Sequence, residues 1–369
     1  MALYPKLIQD ALAQVIYPGT KKNIIESGLL AGDIRIEGQK VSFTLSFEKQ
    51  TDPFMKSVVK AAEANIKYAC QQVDEEVEVE IKTEAKQAPR PEPEKLLPQV
   101  KNVIAIASGK GGVGKSTVSA NLAVGLSMLG YKVGLIDADV FGPSMPKMFN
   151  LEDFKPYAER IDGRDLLIPA EQYGVKLLSV GFFVDKDSAT IWRGSMASSA
   201  IKQFIGDTNW GELDYLLIDM PPGTSDIHLT VVQTLGLTGA VVVSTPQQVA
   251  LADARKGIDM FVNEKINVPV LGLVENMAWF TPAELPNNRY YLFGKEGVKQ
   301  LAEEMNVPLL AQIPVVQSVC ECGDQGTPIV MNYDSMVGQS FLSLAQSVVT
   351  QINIRNANLP KTERVQTSK

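Results

Sequence analysis

The chain has 369 residues, 45% of them apolar and 21% charged, with a formal net charge of −7. This is the composition of a folded globular protein of two or three domains, and its acidic balance speaks against nucleic-acid binding, which rests on neutralising phosphates. No stretch approaches the roughly 18 consecutive apolar residues of a spanning helix, and "MALYPKLIQDALAQVIYP" lacks the basic start and unbroken apolar core of a secretion signal. With only three cysteines and no disulfide spacing, the expectation is a reducing cytoplasm, with neither membrane nor nucleic acid as a partner.

In chain order, residues 1–81 predict helix, hairpin, helix and strand in a small α+β domain. "IRIEGQKVSFTLSF" alternates apolar and polar residues around a turn at Gly38–Gln39, the pattern of a two-stranded hairpin with one buried face. "PFMKSVVKAAEANIKYA" places Phe54, Val58, Ala62, Ile66 and Ala69 on one helical stripe, with Cys70 at its end as a buried structural thiol. "EVEVEIK" returns to alternation. Residues 82–101 then read as a linker, because "KTEAKQAPRPEPEKLLPQ" carries four prolines among charges and no apolar period.

Residues 102–356 change character. Short apolar runs ("NVIAIAS", "KVGLID", "DYLLID", "AVVVST", "VLGLVEN") alternate with helix-length segments, which predicts an α/β fold with a mostly parallel, doubly wound sheet. The first run enters Gly109-Lys110-Gly111-Gly112-Val113-Gly114-Lys115-Ser116-Thr117, a G-x-x-x-x-G-K-[ST] loop between strand and helix. Its glycines let backbone N–H groups turn inward around phosphates. Lys115 is placed for the β and γ oxygens of ATP, and Ser116 for Mg²⁺. The second run ends in Asp137 and Asp139, at the sheet edge where ligands bind in open α/β folds. The third ends in Asp219, a carboxylate suited to Mg²⁺, followed by Pro221-Pro222-Gly223-Thr224. His228, the single histidine, is expected on a helix surface, and Asn276 follows the strand "VLGLVE". A last helix is expected over roughly 335–355, followed by a disordered polar tail at 357–369.

Lys110 is not required by an ordinary phosphate loop. In this place it resembles the deviant loop of the MinD/ParA/nitrogenase-iron-protein class, whose added lysine reaches across a two-fold dimer to the partner's nucleotide. The blocks "SGKGGVGKSTVSANLA", "DADVFGPSMP", "IWRGSMASSAIKQF", "YLLIDMPPGTSDIHLT", "ENMAWF", "FGKEG" and "QGTPIV" resemble the Mrp/ApbC family of iron–sulfur cluster carrier ATPases across nearly all of 102–330. The N-terminal unit is similar to the small iron–sulfur assembly domain that precedes this ATPase in many members. The resemblance implies an ATP-linked homodimer with slow ATP hydrolysis that passes iron–sulfur clusters, of the [4Fe–4S] type, to client apoproteins, alongside assembly factors. It makes Asp139 the residue that positions the attacking water, Asp137 a holder of the metal's water shell, and Asn276 an adenine contact, with a simple strand-end cap as its rival.

Three departures stand out. The C-x-x-C that family members carry after the "ENM" strand is missing from "FTPAELPNNRYY", so the usual cluster ligands are absent. Asp52 precedes Pro53 where a cysteine is frequent, and Ser195 follows "WRG" where proline is common. Cys320 and Cys322 in "SVCECGD" are additions. In an extended backbone they would share a face about 6–7 Å apart, and doubling by a two-fold axis gives the four thiolates of a cluster. Packing residues are the alternative. Two further readings stay open: an ATP-gated assembly scaffold without its own cluster, and a positioning or partition ATPase. The last helix lacks the basic residues that a membrane-surface helix uses.

Overall fold

The computed structural model describes residues 3–47, 52–85, 97–140, 142–183, 194–282, 284–285 and 287–360. The chain divides into two compact units, Met1–Glu94 and Lys95–Lys369.

In the first unit, α1 (Pro5–Leu12) and the two-residue strands β1 (Ile16–Tyr17) and β2 (Lys22–Asn23) precede β3 (Leu30–Glu37) and β4 (Lys40–Phe47). These are followed by α2 (Met55–Gln71) and β5 (Glu78–Ala85). The hairpin is the expected one. Ile36 pairs with Val41 and Glu37 with Lys40 across a turn whose Gly38 has φ 62°, a left-handed value that glycine adopts freely. Val41, Phe43, Leu45 and Phe47 of β4 are buried together with Val58, Ala62, Ile66 and Cys70 of α2 in one cluster. Cys70 is completely enclosed, and burial pushes its thiol pKa up, as in an inert packing cysteine.

The linker expected at 82–101 is shorter at both ends. Strand β5 runs in parallel beside β4 as far as the pair Phe47 and Ala85, through Lys82, Thr83 and Glu84. Charged side chains on an edge strand are compatible with continued backbone pairing, so strand outlasts the apolar alternation. At the far end the next strand starts at Val100. Residues 86–96 lie outside the described residues.

The second unit opens with β6 (Val100–Ala107), α3 (Lys115–Met128), β7 (Val133–Asp137) and α4 (Met145–Met148). A hairpin of β8 (Tyr157–Ile161) and β9 (Arg164–Ile168) follows, then β10 (Ala170–Gln172) and β11 (Val175–Ser179). The chain continues through α5 (Gly194–Gly206), β12 (Leu213–Asp219), α6 (Asp226–Thr234), β13 (Gly239–Ser244) and α7 (Gln248–Val262). It ends with β14 (Val270–Phe280), α8 (Gly297–Glu304), β15 (Leu309–Val315), α9 (Gln317–Asp324) and α10 (Met336–Asn358).

Eight strands form one sheet in the order β10-β11-β7-β12-β6-β13-β14-β15. All neighbours are parallel except the edge pair β10 and β11. Every residue of β7 and β13 is buried, as both-face coverage by helices requires. Strand β6 is central, so its carboxyl end delivers the phosphate loop between the ends of β12 and β13. Helix α10 starts where expected, with the Ser335 hydroxyl accepting the Gly338 N–H at 3.0 Å, and continues to Asn358. The first two residues of the expected tail are therefore helical, with the Arg355 guanidinium donating to the Pro360 carbonyl at 2.6 Å. Residues 361–369 lie outside the described residues.

Strand β14 runs four residues past Asn276. Within it, the Glu275 carboxylate has no exposure, and accepts the Val298 N–H at the start of α8 and the Gln312 amide of β15, both at 2.7 Å. Removing an acceptor of this kind orphans buried donors. Glu275→Ala is therefore expected to lower unfolding free energy in urea by ~2–3 kcal/mol, and Glu275→Gln by less, since its carboxamide oxygen still accepts from Val298.

Candidate nucleotide site

Parallel pairing sets Asp219 of β12 directly beside Asp137 of β7 on one flank and Ile106 of β6 on the other. Two carboxylates and the phosphate loop thus meet at one sheet edge. Gly112 and Gly114 have φ 81° and 80°, left-handed values that turn the loop. Gly109 faces a different demand, for a Cβ there would strike the Asp253 carbonyl of α7.

Lys115 opens α3 and is 6% exposed. Its Nζ donates to Asp219 Oδ2 at 2.9 Å and lies 4.0 Å from Asp139 Oδ2. The Ser116 hydroxyl donates to the same Asp219 oxygen at 2.7 Å, and the Ser119 hydroxyl to Oδ1 at 2.5 Å. Asp219, wholly buried, therefore collects three donors from the first two turns of α3. Asp137 is also buried, and accepts from the Ser179 hydroxyl at 2.8 Å and from the backbone N–H groups of Asp139 and Met145. Burial first, and the Asp219 charge second, push its pKa up to about 7, against the opposing pull of Ser179 and Lys115. A pair of crowded, buried carboxyl groups beside a serine hydroxyl is a hard-oxygen set that fits Mg²⁺ and its retained waters.

The adjoining segments are tied to this centre by backbone. The Ala138 N–H donates to the Asp219 carbonyl at 2.9 Å, and the Gly223 N–H to the Ser108 carbonyl at 2.9 Å. Lys110 and Gly111 stand exposed at the outer rim of the loop, and Lys110 forms no ion pair among the described residues. Thr117 sits half-buried in the first turn of α3. Asn276 is buried, and its amide donates to the Val113 carbonyl at 2.8 Å.

His228 is not on a surface. It is 1% exposed at the start of α6, where its Nδ1 accepts the Ser225 N–H at 3.1 Å, and its Nε2 has no hydrogen-bond partner among the described residues. Burial, then the Lys115 charge, lower its pKa to about 4. The motif hides this, because a capping box normally carries Glu or Gln at this third helical position.

Cys320 and Cys322 are not in extended backbone. They lie in α9, where successive residues are about 100° apart, so residues two apart face nearly opposite ways. Cys320 is exposed, with Sγ 3.8 Å from Asp324 Oδ2, whereas Cys322 is half-buried against the core. Burial, then Glu321, raise the Cys322 thiol pKa. The readable signal was Gly326. With φ 72° it ends the helix in a Schellman motif, the Thr327 N–H reaching the Cys322 carbonyl and the Gly326 N–H that of Gly323. Asp52, the other departure, accepts the Tyr17 hydroxyl at 2.6 Å and the Phe54 N–H at 2.8 Å. Trp192 and Arg193 lie outside the described residues. So does the side chain of Ser195, whose backbone falls within α5. Ser119, Ser179 and Glu275 were not singled out from sequence, because isolated serines and a strand glutamate carry no spacing signal.

A central strand, a loop with two left-handed glycines, a buried lysine at the helix start and a strand-end aspartate facing it define a P-loop NTPase. Residues 99–349 match the family described as NUBPL iron-transfer P-loop NTPase, and the chain belongs to that family. Residues 6–79 match the family described as iron-sulfur cluster assembly protein. A curated relative, the iron-sulfur cluster carrier protein of Synechocystis sp., is 40% identical over 94% of this chain and 99% of its own. The Aquifex aeolicus protein of the same name is 50% identical over 70% of each chain. Among solved structures, the nucleotide-binding protein from Archaeoglobus fulgidus in complex with ADP is similar at 39% identity. That match has a TM-score of 0.56 and covers 66% of this chain and 93% of the other. No helix among the described residues is long and apolar enough to cross a membrane.

The depressed His228 pKa gives a pH signature. Between the folded value of about 4 and the ordinary 6.5, the unfolded chain binds more protons, so this contribution is complete above 6.5 and lost as pH falls toward 4. Asp137, raised from 3.8, acts in the opposite direction over much of that window, so the comparison must be with a variant. The stability advantage of wild type over His228→Gln, from urea unfolding, is expected to shrink by about 3 kcal/mol from pH 7 to pH 4.

Proposed function

We propose that the chain binds and slowly hydrolyses ATP at this loop, and that as an ATP-linked homodimer it carries iron–sulfur clusters to apoproteins. The observation that supports it most is the convergence of Lys115, Ser116, Asp137 and Asp219 at one sheet edge, in a chain whose relatives bear cluster-carrier names. Lys115 exchanges Asp219 for the β and γ oxygens of the nucleotide, placing positive charge where negative charge develops. Ser116, Asp219 and Asp137 hold Mg²⁺, which when bound neutralises phosphate charge. Asp139, 4.0 Å from the Lys115 ammonium, orients the attacking water. Lys110, exposed at the rim, reaches the nucleotide of the second subunit.

The cluster is cargo. A site at Cys320 and Cys322 draws both thiolates from each subunit, and the opposite facings in α9 require that helix to open by a turn. This same helical geometry favours, as a second reading, an ATP-gated scaffold that does not hold a cluster of its own.

Lys115→Ala is expected to reduce ATP turnover by at least about 100-fold. Asp139→Ala should keep nucleotide affinity and lose turnover, and Lys110→Ala should weaken the dimer that sedimentation detects with a non-hydrolysable ATP analogue. Wild-type turnover in Lys115→Ala would refute the site.

Anaerobic reconstitution with iron and sulfide analysis separates the two cluster readings. Iron retained by wild type and lost from the Cys320→Ser, Cys322→Ser double variant supports the carrier site; no uptake by wild type supports the scaffold.

A further inference from the structure

The Asn276 amide is already engaged by the protein itself. One of its hydrogens goes to the carbonyl of Val113, the residue between the two left-handed glycines of the phosphate loop. Val113 is 3% exposed and Asn276 7%, so the bond is shielded from water. The contact is close enough that a Cβ on Gly114 would collide with the same amide nitrogen. Gly114 is thus constrained twice, by its φ of 80° and by Asn276.

This bond bears on the loop's chemistry. A phosphate cradle works when consecutive N–H groups point inward, which obliges the intervening carbonyls to point away. The Val113 carbonyl is held away from the cradle by a donor from a strand two places along the sheet, since β14 is separated from β6 by β13.

The strand carries a device that aims this donor. Asn276 pairs with Ile313 and Phe280 with Val315, so four residue steps of β14 run against two of β15. The bulge contains Met277 with φ 55°, a left-handed value that non-glycine residues seldom adopt. Its terminal methyl lies 3.6 Å from the Cβ position of Gly114. The irregular stretch of strand begins directly after Asn276 and its first residue has the rare backbone conformation, as at bulges that re-aim a side chain beside a site.

We infer that Asn276 is a positioning residue that braces the phosphate loop in its phosphate-accepting shape, whatever base the nucleotide carries, and that the Met277 bulge aims it. The inference rests on the loop being the nucleotide site, and its consequence differs from that of an adenine contact. A base contact discriminates between nucleotides; a brace acts on the phosphate chain.

The test is calorimetric titration of the full chain with ATP, GTP and inorganic tripolyphosphate, each with Mg²⁺, well below the thermal midpoint of every variant so that all protein is folded. Asn276→Ala is expected to weaken all three by a similar factor, about five- to tenfold for one buried hydrogen bond, leaving the ATP to GTP preference unchanged. Asn276→Asp, which removes the donor and sets a carboxylate against the Val113 carbonyl, should weaken all three further. Glycine accepts the left-handed bulge but loses the side chain beside Gly114, so Met277→Gly should weaken all three less than Met277→Val does. Met277→Val, whose branched side chain resists it, should weaken all three alike without touching any ligand. Loss confined to ATP makes Asn276 a base contact and overturns the brace. Unchanged affinities in folded Asn276→Ala and Asn276→Asp reduce the bond to packing and overturn it equally. Wild type that binds none of the three ligands overturns the nucleotide site first, and the brace with it.

Discussion

Two carboxylates brought side by side inside a protein must be neutralised, protonated or given donors, because burial penalises each charge and proximity penalises the pair. Parallel pairing of β7 with β12 imposes this situation on Asp137 and Asp219, and the surrounding structure answers it in two ways. Asp219 receives a lysine and two serine hydroxyls from α3. Asp137, left with one hydroxyl and two backbone N–H groups, is displaced toward neutrality. The start of α3, and with it the phosphate loop, is held against the sheet by this arrangement. A ligand that brings cations to the carboxylates and phosphates to Lys115 would replace one set of charge pairs with another.

The same centre extends outward through contiguous structure. Ala138, bonded to the Asp219 carbonyl, leads through Asp139 to α4, and Met145 at the start of α4 donates its N–H to Asp137. Helix α9, which bears Cys320 and Cys322, packs against α4. Beyond it, the Val330 N–H is held by the Asn121 side chain of α3 at 2.9 Å. The cysteine segment therefore packs directly on α4, the helix that follows Asp139 in the chain. Contiguity of this kind is packing and not by itself coupling, which requires an element with two arrangements that both ends bias.

Much of this is legible in the amino-acid sequence. The glycine, lysine and serine spacing, the apolar strands ending in aspartate, and the period-two hairpin of the first unit are local patterns, and a local pattern fixes backbone type directly. Legibility failed where the deciding contact is distant or where one pattern supports two backbones. "SVCECGD" has no period long enough to choose between strand and helix, and the choice falls to the end of β15 before it and the left-handed Gly326 after it. The alternation of β5 ends at Ile81, while its backbone continues to pair with β4 through charged residues that pattern alone assigns to a linker.

What the sequence determined by itself was the inventory: a phosphate loop with an extra lysine, acidic strand ends, a parallel sheet and a preceding small domain. Tertiary structure decided which groups touch. Lys115 and Asp219 are 104 residues apart in sequence, and Asn276 is 163 from Val113. His228 reads as an ordinary helix residue until α6 is packed and its imidazole is enclosed near Lys115. Spacing along a chain encodes neighbours within a strand or a helical turn. Strand order in the sheet brings distant residues into hydrogen-bonding range, and burial then sets the charge that each one carries.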